Sequence, residues 1–147
     1  MNSDAMVSIF EARNHIFLEK AAKLLSDSEA VLSLGLGDIA GRTAYLAVFH
    51  AAQALIFERQ NTTPKTHRGV HVRFVELVRT DVRFDPDLRS FLSQAYKMKA
   101  VADYDTGPEA EVPIAEAAAA LVTARRFIAV LITLLRPFPE QSSREPK

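Results

Sequence analysis

The stretch AYLAVFHAAQALIF, residues 44–57, decides the fold. Its only strongly polar members are His50 and Gln53, so apolar side chains point in nearly every direction around a helix built from it. A helix of this kind lies buried among other helices rather than at a surface. The stretch therefore predicts a central helix that the rest of the chain has to cover.

Outward from this stretch, apolar residues recur at helical spacing in four more segments. The polar run 26–28 is expected to end the first of them. Asp38 is expected to cap the central helix, and Asp85 followed by Pro86 is expected to begin the fourth. No segment alternates with period two for long enough to indicate a sheet. The predicted helices span residues 9–26, 38–60, 65–81, 85–102 and 113–135.

Five such segments with short connections predict an all-α fold, a compact and mostly up-and-down bundle of four to five helices. The helical domain is expected to span residues 9–136. Residues 1–8 are expected to be a disordered start. Alternatively, residues 1–5 are foreign to the natural protein, which then begins at Met6. Pro137 and Pro139 stop the last helix, and residues 137–147 are expected to be a frayed tail.

The charge and cysteine content narrow the function classes. The chain has 147 residues with 18 basic and 18 acidic side chains, so its formal net charge is zero. This balance argues against a surface that coats nucleic acid, although it is compatible with a local basic patch. The absence of cysteine excludes disulfides, a thiolate zinc site and a cysteine nucleophile.

No membrane or export signal is expected. The longest apolar run, residues 127–135, reaches only about half of the length that a membrane-spanning helix needs. The first residues lack a basic region followed by an apolar core, which a signal peptide requires. The sequence therefore predicts a cytoplasmic protein without a membrane partner.

Histidine 50 is the first candidate for chemistry, because the phosphate-loop, dinucleotide, serine-hydrolase and zinc-protease motifs are all missing from the sequence. It lies in the apolar stretch, and a buried polar group without a partner costs about 1–3 kcal/mol. His50 is therefore either a core histidine satisfied by a neighbouring helix or a residue that contacts a ligand or takes part in proton chemistry.

His67 and His71 are four residues apart, so a helix through both would place them on one face. They could hold a metal only with further ligands from other helices. The alternative is a capping or inter-helix hydrogen bond from His67. We expect no metal and no cofactor.

Asp103 and Tyr104 form the third candidate group and follow Lys97 and Lys99 closely. Asp103 either caps a turn or joins Tyr104 in fixing the imidazole of His50, which would bring His50 and Asp103 into one cluster.

A fourth candidate group is a set of arginines that alternate with acidic residues, and it is interpreted as a solvated face. It consists of Arg68, Arg73, Arg79, Arg83 and Arg89.

Three strings of the sequence together match a known pattern. They are AGRTAYLAVFHAAQAL at 40–55, KTHRGV at 65–70 with a following Phe74, and ADY at 102–104. Their order and spacing resemble the HEPN family, the higher-eukaryote-and-prokaryote nucleotide-binding domain, in its small stand-alone prokaryotic branch. The resemblance extends from about residue 9 to residue 135.

The resemblance implies a four- or five-helix bundle that pairs into a homodimer. Many members of the family are encoded beside a minimal nucleotidyltransferase and form one half of a toxin–antitoxin pair. Others are metal-independent ribonucleases, in which an arginine and a histidine separated by four to six residues cleave RNA.

This chain lacks an arginine and a histidine at that spacing, since Arg42 and His50 are separated by seven residues and Arg68 and His71 by two. We therefore expect a non-catalytic dimeric binding module that works with a nucleotidyltransferase and binds a nucleotide. The alternative is an RNA-cleaving toxin with a rearranged Arg/His site. The candidate polar cluster consists of Arg42, Tyr45, His50, His67, Asp103 and Tyr104.

Overall fold

A computed structural model describes residues 3–104 and 111–135, with side chains from residue 14 onward. These ranges contain five α-helices and no strand, so the all-α prediction is confirmed. The expected tail, residues 137–147, lies outside the described residues. The helices are α1 (Ser3–Ser33), α2 (Gly37–Gln60), α3 (His67–Val78), α4 (Pro86–Tyr104) and α5 (Ile114–Leu135).

Helix α2 is the centre of the bundle, as the 44–57 stretch predicted. It packs against each of the other four helices. Tyr45, Leu55 and Ile56 on α2 are fully buried. Because α3 and α4 both lie against α2, polar side chains that point from α2 toward them meet polar side chains from two other helices.

The end of α1 corrects one prediction. The polar run 26–28 does not break the helix, which continues to Ser33. Ser28 is fully buried, and its hydroxyl donates to the carbonyl oxygen of Ala40 on α2 at 2.8 Å. A serine that looked like a helix breaker is therefore a contact between two packed helices.

The start of α1 lies further towards the N-terminus than the helical spacing alone indicated. The helix begins at Ser3 and so includes residues 3–8. No glycine or proline precedes Gly35 in the sequence, and these are the two residue types that most strongly oppose a helix. The helical periodicity expected from residue 9 therefore continues towards the N-terminus.

Asp38 lies inside α2 and does not cap it, so that prediction was wrong. The residue before the helix is Leu36, whose side chain makes no capping hydrogen bond. The Asp38 carboxylate instead accepts the backbone N–H of Val112, just before α5. Gly37 permits this close approach, since a Cβ there would lie 2.5 Å from the Val112 carbonyl oxygen.

The starts of α3 and α4 are both capped by side chains. Asp85 accepts the N–H of Leu88 at 2.9 Å, which confirms the predicted start of the fourth helix. Thr66 accepts the N–H of Gly69 at 2.9 Å. The Thr66 cap makes His67 the first residue of α3 and places His71 one turn later on the same face.

Helix α5 is long and apolar enough to cross a membrane by length and composition, a test that the core helix of a globular protein also passes. The expectation that no segment reaches this length was wrong, because the apolar residues 117–122 lie in the same helix as the run 127–135, and Arg125 and Arg126 are the only charged residues between them. Arg125 pairs with Glu29 on α1, and Arg126 pairs with Asp85 before α4. These ion pairs and the buried face of α5 join it to the bundle.

Candidate functional site

A buried tyrosine hydroxyl joins the two histidines of α3. The Tyr45 hydroxyl oxygen lies 2.7 Å from Nδ1 of His67 and 2.8 Å from Nε2 of His71. Tyr45 is fully buried, and both histidines are partly buried. The inter-helix hydrogen bond expected for His67 is present, and its partner is Tyr45 on α2. We call Tyr45, His67 and His71 the Tyr–His network.

Aromatic rings hold this network in place. The ring of Tyr96 on α4 has its centre 5.3 Å from the rings of both Tyr45 and His71 and 5.4 Å from the ring of His67. Phe49, one turn after Tyr45 on α2, lies 4.4 Å from the ring of His67. Three helices therefore fix the two imidazoles.

Burial keeps the network uncharged at neutral pH. It lowers the pKa of His67, with the positive charge of Lys99 as a second cause. It also lowers the pKa of His71, with His67 as the second cause. Burial raises the pKa of Tyr45 far above its ordinary value, and Tyr96 adds to this. At pH 7 both imidazoles are neutral and the phenol keeps its proton.

A chain of charges lies next to the network. The Asp103 carboxylate accepts from Lys99 at 2.6 Å and from Arg42 at 2.8 Å. Hydrogen bonding to Lys99, reinforced by Arg42, lowers the pKa of Asp103. The Lys99 ammonium lies 5.9 Å from the ring centre of Tyr96 and 5.6 Å from that of Tyr104, a cation–π arrangement.

His50 has a different partner from the one predicted. Its Nδ1 lies 2.7 Å from the Oε1 atom of Gln53, one turn further along α2. Burial lowers the pKa of His50, whereas a carboxylate partner would have favoured the charged ring. The expectation that Asp103 fixes this imidazole was wrong, because Lys99 and Arg42 occupy the Asp103 oxygens.

A groove of about 390 Å³ opens between α3 and α4 beside the network. Within residues 14–104 and 111–135, neither Arg68 nor Lys97 forms an ion pair, and both side chains line this groove. His71 and Tyr96 connect the groove with the Tyr–His network. Its lining residues are Arg68, His71, Val72, Ser93, Tyr96 and Lys97.

Metal binding finds no support in the arrangement of the histidines. In the described part of the chain, no three or more His, Cys, Asp or Glu side chains are grouped so that they could hold a metal ion. His67 and His71 share a face, as the sequence predicted, but the atom between them is the hydroxyl oxygen of Tyr45.

The structure brings most of the predicted cluster together. Tyr45 and His67 are in contact, Arg42 binds Asp103, and Tyr104 lies near Lys99. Sequence reasoning missed two residues, since Arg68 was assigned to a solvated face and Tyr96 was not a site candidate. A signal for Tyr96 was present, because residues 96, 99 and 103 share one face of a helix. The part these residues play in function stays a prediction.

The comparisons with known proteins agree with the fold. A family model described as the HEPN domain matches residues 15–135. A protein of Methanocaldococcus jannaschii named "Putative toxin" is 32% identical over 100 residues, which cover 67% of this chain and 67% of that protein. An Archaeoglobus fulgidus protein named "UPF0332 protein" is 33% identical over 87 residues, 59% of this chain and 68% of its own. The range matched by the family model includes the whole network and the whole groove.

Proposed function

Because this chain belongs to the HEPN domain family, we propose that it is a toxin-type HEPN protein that acts as a non-catalytic, nucleotide-binding module in a toxin–antitoxin-type pair. Its partner in that pair is a minimal nucleotidyltransferase, and its site is the groove between α3 and α4. The pair operates in the cytoplasm.

The observation that supports a nucleotide ligand is the composition of the groove. Arg68 and Lys97 offer two cations without an ion pair in the described part of the chain, on two facing helices. An arginine fork and a lysine ammonium are the usual donors to phosphate oxygens. Tyr96 is 37% exposed, so part of its ring is accessible for stacking against a base.

The state of the histidines supports binding over cleavage. General acid–base catalysis requires a side chain that can give and take protons within reach of the substrate. Each histidine of α3 has one ring nitrogen hydrogen-bonded to Tyr45. In the ligand-free protein, burial also disfavours the cationic form of both rings, the form that would donate a proton to a leaving group.

Substitution of the groove cations tests the proposed ligand. We expect Arg68→Ala and Lys97→Ala each to weaken the binding of adenosine monophosphate by about tenfold to a hundredfold, since a hydrogen bond to a charged group contributes about 1.5–3 kcal/mol. Isothermal titration calorimetry at pH 7.5 measures both. Arg79→Ala is the matched control, an exposed cation at the end of α3 that does not line the groove. Unchanged affinity in both groove variants would contradict the proposal.

One observation favours a second candidate, an RNA-cleaving toxin. Arg68 and His71 line the same groove, so a phosphodiester held by Arg68 would lie beside an imidazole. Incubation of purified protein with total RNA in EDTA separates the two functions. Cleavage that disappears in His71→Gln would establish the ribonuclease, and intact RNA together with nucleotide binding supports the binding module.

We also propose that the chain forms a homodimer. Exposed apolar side chains gather where the α1–α2 turn meets the start of α5, and exposed apolar patches commonly mark interfaces. Light scattering at micromolar concentration is expected to report a species of twice 16.3 kDa. Detection of the 16.3 kDa species alone would contradict the dimer. The apolar side chains are Leu34, Leu36, Ile39 and Ile114.

A further inference from the structure

We propose that Tyr45, His67 and His71 hold one proton in common and take it up when an anion occupies the groove between α3 and α4. The identity of the site as an anion site rests on the proposed function. The sharing of the proton follows from the hydrogen bonds alone.

The number of hydrogens at the Tyr45 oxygen limits the network to two neutral arrangements. The phenol has one proton, so it can donate to only one imidazole and must accept from the other. Either His67 presents Nδ1–H and His71 accepts at Nε2, or the roles are reversed. The two neutral arrangements interconvert only if the protons on the outer ring nitrogens also exchange, because shifting the two hydrogen-bonded protons alone would leave one ring as an imidazolate. Once one proton has been added to the network, the same shift along the two hydrogen bonds carries the positive charge from one imidazole to the other.

One additional proton fits this network, and a second does not. The imidazole that donates to Tyr45 has its other ring nitrogen unprotonated, and a proton added there leaves both hydrogen bonds intact. If His67 and His71 were both cationic, both would donate to Tyr45, and its hydroxyl proton would have no acceptor within the network. The two histidines should therefore titrate as a pair, with two macroscopic steps.

The charges around the network decide when the first proton binds. Most of the charged groups around the network are cationic, so an empty groove disfavours a charged imidazole. Asp103 does not offset this, since its carboxylate is bound to Lys99 and Arg42. The titratable or charged neighbours are Arg42 and His50 on α2, Arg68 on α3, and Tyr96, Lys97, Lys99 and Asp103 on α4.

An anion in the groove reverses this balance. It brings negative charge next to His71, which both lines the groove and belongs to the network. The charged imidazole becomes favourable there, and by linkage the protonated network binds the anion more tightly. His67 is a poorer site for the charge, since it is the first residue of α3, where the helix dipole is positive.

Nuclear magnetic resonance of the ligand-free protein tests the shared proton without reference to any ligand. In the unaltered protein we expect the imidazole signals of His67 and His71 to shift together, each by part of its full range, in the first step of a titration from pH 8 to pH 4.5. In Tyr45→Phe each should titrate separately and completely. His67→Gln provides a second variant if Tyr45→Phe does not fold, and it should leave His71 with a single complete step. Separate, complete titrations in the unaltered protein would overturn the shared proton.

Sulfate binding tests the link to the groove. Sulfate is the probe because its charge is constant over this range, whereas a phosphate monoester titrates near pH 6. Uptake of one proton should increase sulfate affinity by up to about tenfold per pH unit between pH 7.5 and pH 5.5. His71→Gln should bind sulfate with a nearly flat pH profile, and His15→Gln, an exposed histidine of α1, should behave as the unaltered chain does.

The sulfate measurements distinguish failure of the proton linkage from failure of the anion site itself. Sulfate binding that depends on Arg68 and is equally strong at every pH would overturn the inference and leave the proposed function intact. No sulfate binding at any pH would overturn the anion site, and with it both the proposed function and the linkage.

Discussion

Replacement of Phe127 by alanine is expected to lower the free energy of unfolding by about 3–5 kcal/mol, the usual cost of truncating a fully buried phenylalanine. Phe127 on α5 is fully buried. Its ring centre lies 5.1 Å from that of Phe74, 5.3 Å from that of Phe84 and 6.3 Å from that of Phe91. The substitution therefore removes the ring that joins α5 to the aromatic side chains of α3, α4 and the segment between them.

Urea unfolding at a fixed protein concentration measures this loss, and the Tm should fall by roughly 6–12 °C if the loss is near 3 kcal/mol. The control is Val122→Ala on the same helix, where the side chain is 62% exposed. Its effect should stay within about 0.5 kcal/mol. Equal effects from the two substitutions would contradict the packing described for α5.

Acidification from pH 7 to pH 5 is expected to destabilise the protein well before its carboxylates titrate. Burial lowers the pKa of His50, His67 and His71 in the folded protein, so the unfolded chain binds more protons below its histidine pKa of about 6.5. Stability therefore rises with pH in this window and falls as pH drops. Each histidine contributes a slope of at most about 1.4 kcal/mol per pH unit.

Urea unfolding at pH 7, 6 and 5 checks the sign, and a total loss of roughly 1–3 kcal/mol is expected. His50→Gln should reduce the slope, and His15→Gln should preserve it. A second loss belongs to a lower window, since the depressed pKa of Asp103, held by Lys99 and Arg42, becomes relevant only below pH 4. Stability that is constant or increasing from pH 7 to pH 5 would refute the assignment of buried, neutral imidazoles.

The helices could be predicted because their periodicity is local, and the errors lie where a remote atom decides the outcome. The run at 26–28 was expected to break α1, yet Ser28 bonds to Ala40 of the next helix. Asp38 had the right residue type for a cap, but its oxygen accepts from Val112, 74 residues away. Nothing in the neighbouring sequence indicates either partner.

For the candidate site, too, the sequence predicted spacing within one helix but not the contacts between helices. The spacing of His67 and His71 predicts a shared face, but the tyrosine that bridges them comes from α2. His50 illustrates the opposite error, since a distant carboxylate was assigned to it when Gln53, three positions along the same helix, was available. Arg68 was assigned to a solvated face because its groove exists only once α3 lies against α4.

The three tyrosines give the protein a built-in optical reporter. The chain has no tryptophan, so emission excited in the tyrosine absorption band comes from Tyr45, Tyr96 and Tyr104 alone. Tyr45 is bonded to two imidazoles, Tyr96 borders the groove, and Tyr104 faces the Lys99 ammonium. Every tyrosine of the protein therefore lies at or beside the candidate site. Emission intensity and lifetime can follow occupancy and protonation there without a dye, a label or a substitution.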